Sequence, residues 1–144
     1  MDDLSHKTAI KRRGPSRPLK WLLGEGLIYV VHLDYGCGRG DDADYLDCDK
    51  YDPYYFPDMP SRAYSSITCT YVLNVIEDAA ERTRVITKVA SLLRPGGTAY
   101  FTVRRDLKKE GRTSTGTYQC IVKLDKLNLL YENSKFAIYE LKRA

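Results

Sequence analysis

Leu33-Asp34-Tyr35-Gly36-Cys37-Gly38-Arg39-Gly40 closes an apolar run over residues 27–33 and sets three glycines on alternate positions. Glycine lets backbone turn tightly and lie directly against a ligand. An apolar strand, a glycine turn and a helix entry at Asp41 form the arrangement by which a doubly wound sheet holds a nucleotide-type ligand at its carboxyl edge. The spacing narrows the ligand. A dinucleotide fingerprint of the G-x-G-x-x-G type needs its third glycine at position 41, where this chain has Asp41. The pattern is instead an acidic residue, one spacer and G-x-G-x-G. Taken alone, such a turn also occurs as a plain connection after a strand.

The rest of the chain bounds what the turn belongs to. At 144 residues, 43% hydrophobic and 29% charged, the chain predicts a single globular domain over residues 15–144 behind a basic arm over residues 1–14. Net charge is +4 with a pI near 8.8, and Lys7, Lys11, Arg12, Arg13, Arg17 and Lys20 crowd the first twenty residues. Such an arm either touches nucleic acid or another polyanion or is simply a solvated segment, the commoner outcome. Cys37, Cys48, Cys69 and Cys120 show no C-x-x-C spacing and pair with neither His6 nor His32, which argues against a metal site and a disulfide framework. No apolar run approaches the roughly 20 residues that span a bilayer, and no secretory signal follows the basic start. The expectation is a cytoplasmic protein with reduced thiols and no membrane partner.

Periodicity predicts a helix over residues 15–26, with Leu19, Leu22 and Leu23 on one side, and a buried parallel strand over residues 27–35. A short helix over residues 41–46 and a second strand ending at Asp52 before Pro53 follow, then an irregular aromatic loop over residues 54–65. A third strand over residues 66–71 leads to a helix over residues 78–93, stopped by Pro95-Gly96-Gly97. Residues 98–103, 118–124 and 135–141 read as strands, the last two as a hairpin-like end. Alternation of strand and helix up to residue 103 predicts an α/β fold with right-handed crossovers and parallel pairing. A carboxylate near the end of the second strand is where such folds hold ribose hydroxyls; Asp52 fits best because Pro53 fixes where the strand ends, with Asp47 and Asp49 as rivals.

Residues 33–40 resemble the first motif of class I S-adenosylmethionine-dependent methyltransferases. Ser66-Ile67-Thr68-Cys69-Thr70-Tyr71-Val72-Leu73-Asn74-Val75-Ile76-Glu77-Asp78 is similar to their fourth-strand segment, and Leu92-Leu93-Arg94-Pro95-Gly96-Gly97 to the turn before their fifth strand. A closer resemblance, carried by residues 6–10, 15–18, 52–55 and 71–78 with the glycine turn, is to the putative methyltransferases associated with DNA phosphorothioation systems, which are longer than this chain. The resemblance implies a truncated Rossmann-like sheet, mostly parallel with a C-terminal antiparallel hairpin, and helices on both faces. It implies S-adenosylmethionine as cofactor, with Asp34, Gly36, Cys37, Gly38 and Gly40 shaping the methionine pocket, Asp52 and Pro53 at the ribose, and Tyr71 and Leu73 near the methyl donor. For Tyr71 and Leu73, ordinary core packing is the competing reading.

The chain departs from that family between Asp52 and Ser66, where residues 53–65 are too few for the usual helix and strand. Tyr54, Tyr55 or Phe56 is then left to stack on adenine, and a second copy of the chain is one way to complete the open sheet edge. The sequence shows no catalytic base. Asn74 stands where related small-molecule enzymes often have histidine and can orient a substrate without taking a proton; His6 could fold over the site from the arm or lie in solvent. Neither an Asn- or Asp-Pro-Pro-aromatic tetrad nor a Pro-Cys pair is present, which disfavours amino- and cytosine-directed DNA methylation. The expectation is a methyltransferase acting on an unidentified small-molecule or nucleic-acid acceptor. The alternatives are a noncatalytic cofactor-binding module that works with a partner, and a nicotinamide enzyme against which Asp41 counts.

Overall fold

The computed structural model describes residues 14–107, 110–112 and 118–144. Helix α1 (Arg17–Gly24) starts at Ser16, whose hydroxyl accepts from the Leu19 amide, with Pro18 in the first turn where its missing N–H has no consequence. Then follow β1 (His32–Tyr35), α2 (Asp41–Leu46), β2 (Asp49–Tyr51) and β3 (Tyr64–Thr70). A 3-10 turn at Leu73–Val75 leads to α3 (Ala79–Ser91), whose amino end is capped by the Asp78 carboxylate accepting from Ala80 N. The chain ends in β4 (Leu93–Arg104), β5 (Gly111–Arg112), β6 (Tyr118–Gln119), β7 (Asn128–Glu132) and β8 (Phe136–Lys142).

Six strands form one sheet in the order β2-β1-β3-β4-β8-β7. The pairs β1–β2, β1–β3 and β3–β4 are parallel, whereas β4–β8 and β7–β8 are antiparallel. Register sorts the side chains into two faces. Leu33, Ile67 and Ala99 stand in one row and, with Cys69, Phe101 and Val103, pack against Val89 and Leu92 at the end of α3. Tyr100 and Ile138 point the other way, onto Leu22 of α1. Helices thus cover both faces, and the sheet is mostly parallel with an antiparallel C-terminal hairpin, as the sequence predicts.

Local boundaries differ in informative ways. The first strand begins at His32 rather than at residue 27: the Tyr29 N–H donates to the Ser66 hydroxyl and the Tyr29 carbonyl accepts from it, in place of a ladder, and Val30 is 91% exposed. Pro95-Gly96-Gly97 is not the stop before a separate strand but a bulge inside β4, between the Tyr64–Leu93 and Ser66–Thr98 pairs. A Cβ on Gly97 would approach the carbonyl oxygens of Tyr64, Arg94 and Ser65 to 2.9–3.1 Å, so only glycine fits. Of the strand expected over residues 118–124, only Tyr118–Gln119 pairs, with Gly111–Arg112. Cys120, Val122 and Leu124 remain alternately buried, an extended segment laid on the core without a ladder. The true hairpin partner of β8 is β7, an edge strand with little burial to betray it.

The α1 side of the central strands is polar. His32 and Asp34 of β1 and Ser66 and Thr68 of β3 are all buried, where parallel strands covered on both faces ordinarily carry Val, Ile and Leu. Burial pushes the His32 imidazole down from 6.5 to about 4. The unfolded chain therefore binds a proton near pH 6.5 that the folded chain refuses until about pH 4. The stability associated with neutral His32 is complete above pH 6.5 and drains away as the pH falls toward 4, by up to about 3 kcal/mol. Urea unfolding at pH 7.5 and 4.5 should show the wild type losing roughly 2–3 kcal/mol more than His32→Gln over that interval; parallel losses would contradict the burial of a neutral imidazole.

Candidate active site

The order of the sheet reverses at β1: the chain moves outward to β2 and then returns to the other side as β3. The crevice between the loops after β1 and β3 is the topological switch point at which doubly wound sheets bind ligands. Its first wall is the glycine turn. Gly36, Gly38 and Gly40 have φ of 76°, 58° and 87°, in the left-handed region that favours glycine. Tyr51 at the end of β2 pins the turn, its carbonyl accepting from Gly36 N at 2.7 Å and Cys37 N at 3.0 Å. A Cβ at Gly36 would fall inside the Cγ2 methyl of Val72, so the turn and the loop after β3 touch across the crevice.

Gly40 is the N-cap of α2, whose first turn carries Asp41, Asp42 and Asp44. Those carboxylates suit the helix dipole and repel a phosphate. Asp42 is bound by the backbone N–H and hydroxyl of Ser16 at 2.7 and 2.6 Å, which ties the start of α1 to α2. Asp44 meets Lys50 Nζ at 3.0 Å. With Asp34 and Asp52 also at the turn, the surroundings favour a ligand with cationic rather than phosphate groups near the glycines.

Asp52 is buried, and its carboxylate closes the site from the β2 side. Oδ1 accepts from Gly38 N, and Oδ2 accepts from Tyr54 N and Tyr55 N, each at 3.0 Å. Its own backbone pairs with that of Phe56 in both directions. A carboxylate offers about four lone-pair sites, so the Asp52 bonds leave about one. Pro53 stands exposed at the head of this tight loop. Tyr54 and Tyr55 meet edge to face at 4.8 Å, Arg39 lies 5.9 Å from the Tyr55 ring centre, and Phe56 sits under Lys50 Nζ at 4.4 Å. The aromatic segment is thereby folded beside the glycine turn. Asp47 is the left-handed C-cap of α2, and Asp49, at the amino end of β2, binds Tyr64 OH at 2.7 Å and Arg62 Nε at 3.1 Å, so neither rival shares the bonds that tie Asp52 to the turn.

The second wall is the loop after β3. Tyr71 has φ of 60°, an unfavourable backbone for a residue with a Cβ, and its N–H donates to Thr102 O at 2.8 Å. Its side chain leans on the cluster around Leu22 and Tyr100. Leu73 is fully buried in the main core, the packing role that competed with a pocket role for it. Asn74 is 1% exposed; its backbone carbonyl accepts from Cys120 N at 2.8 Å, while its Oδ1 has no hydrogen-bond partner among the described residues.

Cys37 is half-buried in the turn. Burial, then the Asp34 and Asp52 carboxylates, push its thiol well above the usual range, so it is no thiolate nucleophile. All four cysteines are free, and no group of side chains suited to a metal occurs among the described residues. His6 lies outside the described residues, as does most of the basic arm. Sequence reasoning passed over His32, hidden within an apolar run, and the Ser16–Asp42 tie, which joins residues 26 positions apart.

The model of a family described as "Methyltransferase domain" matches residues 11–134. No curated protein matches by sequence. Among solved structures, the chain is similar to an S-adenosylmethionine-dependent methyltransferase from Clostridium acetobutylicum, at 11% identity, over 99% of this chain and 96% of that one, with a TM-score of 0.61. It is also similar to the N-methyltransferase NodS from Bradyrhizobium japonicum, solved with S-adenosyl-L-homocysteine, at 13% identity, over 78% and 76% of the two chains, with a TM-score of 0.51. These identities speak for a shared fold. No helix among the described residues is long and apolar enough to cross a membrane. The family match spans both walls of the crevice and most of the chain, and the chain belongs to the methyltransferase-domain family.

Proposed function

We propose that the crevice binds S-adenosylmethionine and that the chain is a class I methyltransferase. The observation that carries this reading is the glycine turn packed on Val72 at the switch point, with the carboxylates of Asp34, Asp42 and Asp52 around it. Asp34, Gly36, Cys37, Gly38 and Gly40 form the cradle for the cationic methionine end. Asp52 offers its remaining lone pair to one ribose hydroxyl, rather than holding both as the sequence alone implies, and Pro53 sets the turn that brings Tyr54 and Tyr55 alongside as the adenine wall. Tyr71 lies on the methyl-donor side. When bound, the cofactor supplies an electrophilic methyl group; the chain's own residues orient, exclude water and hold the acceptor in line, which supplies much of the acceleration. Asn74 Oδ1, buried without a hydrogen-bond partner among the described residues, is the substrate-orienting atom, and the acceptor is a small molecule or a nucleic acid reached through the basic arm and His6. The sequence resemblance further supports reading the chain as a relative of the methyltransferases associated with DNA phosphorothioation. The free edge of β2, beside a hollow of about 470 Å³ lined by Asp49, Lys50 and Arg62, is where a second copy of the chain completes the sheet; a monomer in sedimentation at assay concentration would remove that part.

Incubation with methyl-labelled S-adenosylmethionine and either small amines or duplex DNA should release S-adenosylhomocysteine only with the right acceptor class; tight binding without turnover on any acceptor would favour a noncatalytic module instead. In calorimetry, Gly38→Val should weaken S-adenosylhomocysteine binding by at least about 100-fold, because the left-handed backbone at φ 58° rejects a β-branched residue, while Asn74→Ala should stay within about 3-fold. Equal losses would put Asn74 in the cofactor shell. Asp52→Asn should weaken binding and also cost about 1–3 kcal/mol of folding stability, because an amide cannot receive all the backbone donors now on Asp52; unchanged stability would contradict its tying role.

A further inference from the structure

Asp52 and Phe56 face each other across the isolated antiparallel bridge that closes the Pro53-Tyr54-Tyr55 loop, with backbone bonds of 2.9 and 3.0 Å running both ways. Residues directly opposite in an antiparallel pair carry their side chains on the same side, and so do residues two apart along one strand. Lys50, Asp52 and Phe56 therefore share a side, and their contacts identify it as the side of the glycine turn. Asp52 Oδ1 accepts from Gly38 N at 3.0 Å. A Cβ on Gly40 would come within 3.2 and 3.5 Å of Phe56 Cε2 and Cζ and within 3.4 Å of Lys50 Cδ, so the ring and the lysine stem lie against the bare backbone of that glycine. Lys50 Nζ stands 4.4 Å from the Phe56 ring centre and 3.0 Å from Asp44 Oδ1. One short hairpin thus grips two glycines of the turn, Gly38 through a carboxylate and Gly40 through a ring.

That seat decides what Phe56 can do. Stacking on adenine needs an open ring face, and one face of Phe56 lies under an ammonium that is itself held by α2. What the ring touches instead is Gly40, the N-cap of α2, at φ 87°. The Gly40 carbonyl accepts from Asp44 N at 2.8 Å, and the Gly40 N–H donates to Cys37 O at 3.0 Å. Both bonds depend on the conformer of this one residue. Glycine by itself holds such a conformer no better than several others. A side chain packed against it selects one, and with it the direction in which α2 leaves the turn.

We propose that Phe56 is a positioning residue for the methionine end of the crevice: seated between Lys50 and Gly40, it fixes the last glycine of the turn and leaves the adenine to Tyr54 and Tyr55. The division of the ligand rests on the reading of the crevice as an S-adenosylmethionine site, whereas the seat itself belongs to the free chain. Phe56 is part of neither core cluster, so Phe56→Leu should keep the fold, and Phe56→Met replaces it in the same measurements if it does not. Hydrogen exchange tests the seat without a ligand. The Asp44 amide should exchange about tenfold faster in Phe56→Leu, with the amides of β3 and β4 unchanged. Calorimetry tests the division with S-adenosylhomocysteine and with 5′-methylthioadenosine, which keeps the adenosine and the sulfur but lacks the amino acid. Phe56→Leu should weaken the first about tenfold and the second by less than about threefold, whereas Tyr55→Ala should weaken both alike. Equal weakening of both ligands by Phe56→Leu makes the ring an adenine contact and overturns the proposal. Unchanged affinity for both, or an Asp44 amide indifferent to the substitution, overturns it as well. A faster Asp44 amide in a chain whose wild type binds neither ligand keeps the seat and removes the cofactor reading, and the division with it.

Discussion

The absence of a side chain at Gly36 allows the turn after β1 to rest on Val72 of the loop after β3, and the geometry of the crevice depends on that contact. It joins the loops on either side of the point where strand order reverses. Tyr51 fixes the turn from below through its carbonyl, and Asp52 fixes it from the side through Gly38. The same carboxylate binds the amides of Tyr54 and Tyr55, so a segment too short for a helix and a strand is still held in place. The aromatic side chains of this segment are thus tied to the glycine turn by the hydrogen bonds of one residue.

Asp52 illustrates how a small fold joins two roles in one group. In a larger sheet the ribose carboxylate can face its ligand while other elements hold the loops. Here its lone pairs are mostly taken up by backbone donors, and its burial protects those bonds from water. On the proposed reading of Asp52 as the ribose carboxylate, cofactor affinity and local stability are coupled through a single side chain. The polar interior around His32 shows a similar economy, since the residues that fill the α1 side of the central strands also reach Asp34.

Features set by neighbouring residues were legible in the sequence. The glycine turn, the entry of α2 at Asp41, the end of β2 before Pro53 and the start of α3 near Asp78 each follow from the chemistry of a few adjacent positions. Features set by pairing were not. The alternation at residues 120–124 is real, yet periodicity says nothing of whether a ladder partner exists, and the backbone instead meets Asn74. Strand β1 is shorter than its apolar run because Ser66, 37 positions away, takes over the backbone groups of Tyr29. His32 is buried only because Ser66 and Thr68 present hydroxyls to both ring nitrogens, which no local window contains. In the candidate site, Gly36 lies against Val72, Leu73 is buried in the main core, and Asp52 directs most of its hydrogen bonding to the backbone of the turn and of Tyr54 and Tyr55, contacts that the motifs do not state.

A crystal structure of the chain grown with S-adenosylhomocysteine decides whether the crevice between the turn after β1 and the loop after β3 is the cofactor site. The ligand should lie over Gly36–Gly40 with its amine toward Asp34, one ribose hydroxyl on Asp52 and its adenine against Tyr54 or Tyr55. A ligand seated elsewhere, such as the hollow beside the free edge of β2, or a folded chain that crystallises without it at saturating concentration, would contradict that assignment.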